Sequence, residues 1–237
     1  MDFEIFTFKK DNSFISFSPS RIITQINLNK DLLFFNKETF EDKTKNVRIP
    51  VMFPNSPLKD NNLYNLSQHF ARNSIWDYNI DNNSFTMMLN SSDETRAKFN
   101  YDFKLEIIDI IENKAFVTQK ITNTKIDLPI SCGLHPYFSV KNENKENIVF
   151  SSEKDNFYDI WSITKVLDNK VFFVDFDGDY RLKIDYDLNY KNIWIRSEEK
   201  DFICIEPVLR NENLLDNPFI LEAKSEKFKV VYEIISK

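Results

Sequence analysis

Side chains able to take and return protons near neutral pH are scarce in this chain. Its 237 residues include two histidines, His69 and His135, and two cysteines, Cys132 and Cys204. His135 lies in ISCGLHPYFSV, residues 130–140, which also holds one of only two glycines. Gly133 permits backbone shapes that other residues avoid, and Pro136 fixes the chain just after the imidazole, so His135 is presented from a constrained backbone. Tyr137 and Phe138 add flat apolar surface of the kind that stacks on a sugar or a base. A Gly-Pro turn leading into two core aromatics has the same pattern, and this stretch alone does not decide between site and turn.

A second candidate is DFICIEPVLRNENLLDNP, in which Glu206 interrupts the apolar run Phe202, Ile203, Cys204, Ile205 and is followed by Pro207. A carboxylate at the end of so apolar a strand is costly unless it is paired, hydrogen-bonded or put to use. If Cys204 faces the core, alternation along a strand puts Glu206 on the same side, where burial tends to raise a carboxyl pKa toward the range of a general base. An edge carboxylate reaching solvent at the strand end is the other reading. A third segment, NLSQHFARNSIWDYNI, gathers His69, Arg72 and Trp76. Arginine offers a rigid fork of donors and tryptophan a stacking face, although a surface turn with one buried Trp reads the same way.

The elements that must hold these residues read as strands. Phe (23) and Tyr (9) are abundant, and DFEIFTFKK, SFISFSPSR and RIITQINLN alternate apolar and polar residues between Asn, Asp, Ser or Pro breaks. Residues 98–124 read as two long strands around a turn at ENK, with Phe103, Leu105 and Ile107 on one face. Gly178 falls in an Asp-Gly turn between alternating runs, which predicts a tight hairpin. A short helical turn is expected only within PLKDNNLYNLSQ, and turns elsewhere must be built on Asn and Asp. Strands without intervening helices predict an all-β fold, a large antiparallel β-sandwich, with residues 1–237 as one domain.

Several functions are disfavoured by composition. Two glycines cannot build a dinucleotide fingerprint or a phosphate loop. A net charge of −6 with mixed signs gives no basic stripe for nucleic acid. Two cysteines and two histidines offer neither a disulfide framework nor zinc-ligand spacing, so no metal or other cofactor is expected. The N-terminus does not read as a signal peptide and no apolar run approaches a membrane span, so the expected setting is cytoplasmic, without a membrane partner.

Taken in order, these segments resemble the galactose mutarotase-like superfamily, the aldose 1-epimerases and their hexose-phosphate relatives. RIPVMFPN (residues 48–55) is similar to that family's early Pro-containing strand, and HFAR to its His-Gly-Phe-Ala-Arg motif. The run from Phe103 to Val140 resembles its central strands and Gly-Leu-His-Pro-Tyr-Phe motif, and FICIEP its catalytic Glu-Pro motif.

The resemblance implies the supersandwich fold of that superfamily, a sugar-binding cleft on one concave sheet, and metal-independent interconversion of the α and β anomers of an aldose. It makes His135 the general acid toward the ring oxygen, Glu206 the general base on the anomeric hydroxyl and Arg72 a ligand of sugar hydroxyls. Through looser similarity, Asp175 and Trp194 join the substrate site, with Tyr137 as a cleft wall. Ring opening needs a proton taken from O1 and one given to O5, which one carboxylate and one imidazole on opposite sides of a pocket supply.

Aligned on Phe-Ala-Arg, the family's binding histidine falls on Gln68 and its glycine on His69, so either residue can stand in for that histidine. A non-catalytic carbohydrate-binding protein is the alternative that this departure favours. A hexose-6-phosphate epimerase is another, with Arg48, Arg72 and Arg210 as available cations. The expected partner is a small sugar, and the expected state a monomer or homodimer.

Overall fold

The computed structural model describes residues 6–11, 13–18, 21–28, 32–33, 51–53, 70–82, 84–111, 114–122, 128–130, 132–152, 156–157, 164–166, 171–176, 180–186, 192–197, 202–208, 219–221 and 225–236. Among them, antiparallel strands dominate, as the alternating sequence predicts, and the fold is all-β. A nine-stranded sheet runs in the order Asn156–Phe157, Val149–Ser152, Val171–Asp175, Tyr180–Tyr186, Ser225–Ser236, Lys114–Thr122, Lys104–Ile111, Ser84–Asn90, Asp77–Ile80. A six-stranded sheet runs Thr164–Val166, Asn192–Ser197, Phe202–Val208, Gly133–Leu134, Val51–Met52, with Tyr137–Ser139 also paired to Phe202–Val208. Phe6–Lys10, Ser13–Ser18, Arg21–Leu28 and Leu32–Leu33 form a separate four-stranded sheet, and Leu128–Ile130 pairs with Phe219–Leu221.

Register explains which residues are buried. Leu105 and Ile107 are inaccessible to solvent and Phe103 nearly so, as their shared face requires. Cross-strand partners extend that stripe through Met87 and Leu89 on one side and through Phe228, Val230 and Tyr232 further along the sheet. The six-stranded sheet closes the core from the other side with Leu134, Phe138, Ile195, Ile203 and Ile205. Phe138 meets Tyr232 across the two sheets, with ring centroids 6.2 Å apart. Each such side chain, fully buried, stabilises the fold by about 1.5–3 kcal/mol.

Turns follow the low glycine content. Lys10 pairs with Ser13 across a two-residue loop, and Asp11 takes φ 53°, the left-handed conformation that Asp and Asn tolerate when glycine is absent. Lys104–Ile111 and Lys114–Thr122 form the long pair predicted around ENK. Val171–Asp175 and Tyr180–Tyr186 form the predicted hairpin, while its turn residue Gly178 and the segment 57–68 lie outside the described residues.

One helix, Asp93–Lys98, escapes the sequence reading because six residues are too few for periodicity. Its signal is local. Ser92 and Thr95 form a capping box, with acids in the first turn and bases in the last. No helix among the described residues is long and apolar enough to cross a membrane.

Asp109 breaks the apolar stripe. It lies between Phe85 and Val117 in the register, is 1% exposed, and neither carboxylate oxygen has a hydrogen-bond partner among the described residues. Burial holds its pKa well above the ordinary carboxylate range. The folded chain therefore keeps a proton that the unfolded chain releases, and stability falls as pH rises above the unfolded pKa. Asp109→Asn should raise the melting temperature, with an advantage that grows as pH rises above the ordinary carboxylate range, by up to about 1.4 kcal/mol per pH unit. Calorimetry at several pH values checks this; a pH-independent difference would mean that Asp109 titrates normally.

Candidate active site

The strand Phe202–Val208 is central to the six-stranded sheet and its two faces do different work. Ile203 and Ile205 enter the main core, whereas Phe202 and Cys204 form a separate buried cluster with Tyr137 on the opposite face. Cys204 and Glu206 share a side, as alternation predicts, but it is not the side of the main core. Glu206 is also not at a strand end, because pairing continues through Pro207 to Val208. The solvent-reaching edge carboxylate is thereby excluded, and Glu206 is 1% exposed.

The His135 stretch runs along one side of this strand. Gly133 pairs with Val208 and Tyr137 with Cys204, so both halves keep one register and His135 falls across from Glu206. Between them Pro136 has no N–H to donate, yet its carbonyl accepts from the Ile205 N–H at 3.3 Å and keeps the pairing aligned. Leu134 and Phe138 point into the core, which leaves His135 and Tyr137 on the face of Glu206. His135 Nε2 lies 3.1 Å from Glu206 Oε1, with side-chain exposures of 12% and 1%. The imidazole stacks on Tyr137 (4.6 Å, 26°), which meets Phe202 edge-on at 5.2 Å. The ligand atoms of His135, Cys204 and Glu206 all lie within 4.8 Å of one another.

On the other flank Trp194 pairs with Glu206 and Arg196 with Cys204. The looser expectation for Trp194 thus puts it in the register row of Glu206. Arg196 is a neighbour that the sequence reading missed, although its two-residue spacing from Trp194 matches that of Cys204 and Glu206.

Arg72 lies in the 3-10 turn Phe70–Asn73, which packs beside Val51–Met52, the strand next to Gly133–Leu134. An aromatic cluster anchors that corner, with Phe53 within 4.9–6.1 Å of Phe70, Phe99 and Phe103. Trp76 offers no stacking face: it is 2% exposed and its Nε1–H donates to the Ala71 carbonyl at 2.9 Å.

Asp175 belongs to the nine-stranded sheet, next to core residue Val174, and Arg181 holds its carboxylate through two hydrogen bonds of 2.9 and 2.7 Å. Gln68, His69, Arg48 and Arg210 lie outside the described residues.

Residues 55–175, just over half of the chain and including His135, match the aldose 1-epimerase family. The chain belongs to that family. No curated protein sequence matches it, so the remaining similarity is structural. A Synechocystis protein superposes with a TM-score of 0.81 at 20% identity, over 100% of this chain and 97% of its own. A galactose mutarotase related enzyme from Lactobacillus acidophilus gives 0.74 at 15% identity, over 98% of both chains. A galactose mutarotase-like protein from Lactobacillus casei gives 0.74 at 14%, over 98% of this chain and 100% of the other. The fold of this aldose 1-epimerase family member is therefore that of the galactose mutarotase-like proteins along nearly its whole length.

The cover over Cys204 is open to a direct check. Tyr137 and Phe202 shield this thiol, whereas Cys132 is buried in the main core. Tyr137→Ala should speed labelling of Cys204 by a thiol reagent at least about tenfold and leave Cys132 protected, as read by mass spectrometry of the labelled peptides. Equal labelling of both cysteines would show that the variant opens the core rather than the site.

Proposed function

We propose that this chain is an aldose 1-epimerase in which Glu206 is the general base and His135 the general acid. The observation that carries this reading is the 3.1 Å contact between His135 Nε2 and Glu206 Oε1 on one face of the sheet, in a family of sugar epimerases. An acid and a base on opposite sides of a pocket are not required. O1 and O5 of a cyclic aldose are bonded to the same carbon, so two neighbouring groups reach both.

In the forward step the Glu206 carboxylate takes the proton from the O1 hydroxyl, the C1–O5 bond breaks, and the His135 imidazolium gives its proton to O5. The open-chain aldehyde turns about C1–C2. In the return step O5 attacks C1 from the other face, imidazole takes the O5 proton back, and Glu206 returns its proton to O1. Both residues end as they began. The stack on Tyr137 orients the imidazole, and Trp194 and Arg72 are the further groups proposed to hold the sugar. Gln68 or His69 would supply the remaining hydroxyl contact.

Polarimetry of freshly dissolved α-aldoses, with glucose compared against glucose 6-phosphate, tests the activity. Glu206→Gln and His135→Asn should each lower kcat by about 10²- to 10⁴-fold, with melting temperatures showing that both variants fold. No acceleration by the native protein across the panel would sink the reading. Sugar binding that is unchanged in Glu206→Gln, without turnover, would make the chain a binding protein instead.

A further inference from the structure

We infer that His135, Cys204 and Glu206 also form a three-ligand site for a thiophilic divalent cation of the Zn²⁺ type, and that the bound ion shuts the epimerase site by occupying its acid and its base. Their ligand atoms lie within 4.8 Å of one another, and no comparable group of His, Cys, Asp and Glu occurs among the described residues. Zinc bonds of about 2.0–2.3 Å in a tetrahedron require donors roughly 3.3–3.8 Å apart. The 3.1 Å nitrogen-to-oxygen contact is already near that spacing, and the sulfur, within 4.8 Å of the other donors, has to close by about 1 Å at most.

The donors are held rather than loose. Cys204 and Glu206 are two residues apart on one strand face, with Tyr137 of the neighbouring strand directly opposite Cys204. Tyr137 stacks on the imidazole, and with Phe202 it surrounds the thiol with apolar surface. Such a shell limits water access to the sulfur. One nitrogen, one sulfur and one oxygen suit zinc better than magnesium or calcium, and three protein ligands leave a fourth position open.

Ion binding stands on the geometry alone, whereas inhibition rests on the epimerase reading. Cobalt(II), as a spectroscopic substitute for zinc, is titrated into the full-length protein freed of metal by a chelator. The expected result is one ion per chain with a thiolate-to-cobalt charge-transfer band, displaced by Zn²⁺. Cys132→Ser should keep the band. Cys204→Ser should lose it, with affinity falling by more than the roughly 10- to 100-fold that loss of an outer-shell partner costs; Glu206→Gln should weaken binding too. These losses count for variants whose melting temperature without metal shows that they fold, and should Cys204→Ser not fold, Glu206→Gln decides.

Zinc should suppress the native mutarotation rate. It should have little effect on the Cys204→Ser rate when each protein is compared with its own rate in chelator. Absence of the band, or a band that survives Cys204→Ser, overturns the ion site. A bound ion that leaves native mutarotation untouched overturns the inhibition. A native protein with no metal-free activity defeats the epimerase reading instead, while the cobalt titration still decides the ion site.

Discussion

The site depends on the backbone pairing between residues 133–139 and Phe202–Val208. Main-chain hydrogen bonds carry no chemical identity, yet their register decides which side chains meet. Here it sets His135 across from Glu206 and Tyr137 across from Cys204, while Leu134, Phe138, Ile203 and Ile205 anchor both runs from behind. Turning those anchors outward would expose side chains each worth about 1.5–3 kcal/mol when buried. The core thereby holds a carboxylate in a setting that the carboxylate disfavours on its own.

Two buried carboxylates show how much depends on the neighbour. Glu206 and Asp109 are each 1% exposed and each interrupts an apolar strand. Glu206 faces an imidazole across the pairing; Asp109 pairs with Phe85 and Val117 in the backbone register, lies near enough to the buried Tyr232 for its charge to act there, and burial raises its pKa. Glu206 thus has a titratable group in contact with it, while Asp109 is a cost that the core absorbs.

Much of this was legible in the sequence, for reasons that differ by element. Long alternating strands were clear because burial on one face imposes a period of two, and Phe103, Leu105 and Ile107 follow it. The pairing of GLHPYF with CIEP emerged from family order, not from local pattern. The criterion that singled out Glu206, a charge inside an apolar run, applies equally to Asp109 in EIIDIIE, so that criterion alone does not find a site. The helix Asp93–Lys98 was missed because only its caps announce it. Ligand spacing could not reveal the grouping of His135, Cys204 and Glu206, since it arises between strands some seventy residues apart in sequence.

The break at His135 and Pro136 has an implication for how such a chain can change. Because the pairing resumes after the break in the same register, residues 133–139 act as a ruler of fixed length between two halves of one strand. Substitutions along it alter a single contact each. Inserting or deleting one residue before Tyr137 would exchange the two faces downstream, sending Tyr137 toward the core and Phe138 toward the ligand side. A change of length in this segment would therefore need a compensating bulge to keep the two faces in place, whereas the loops between strands absorb one without it.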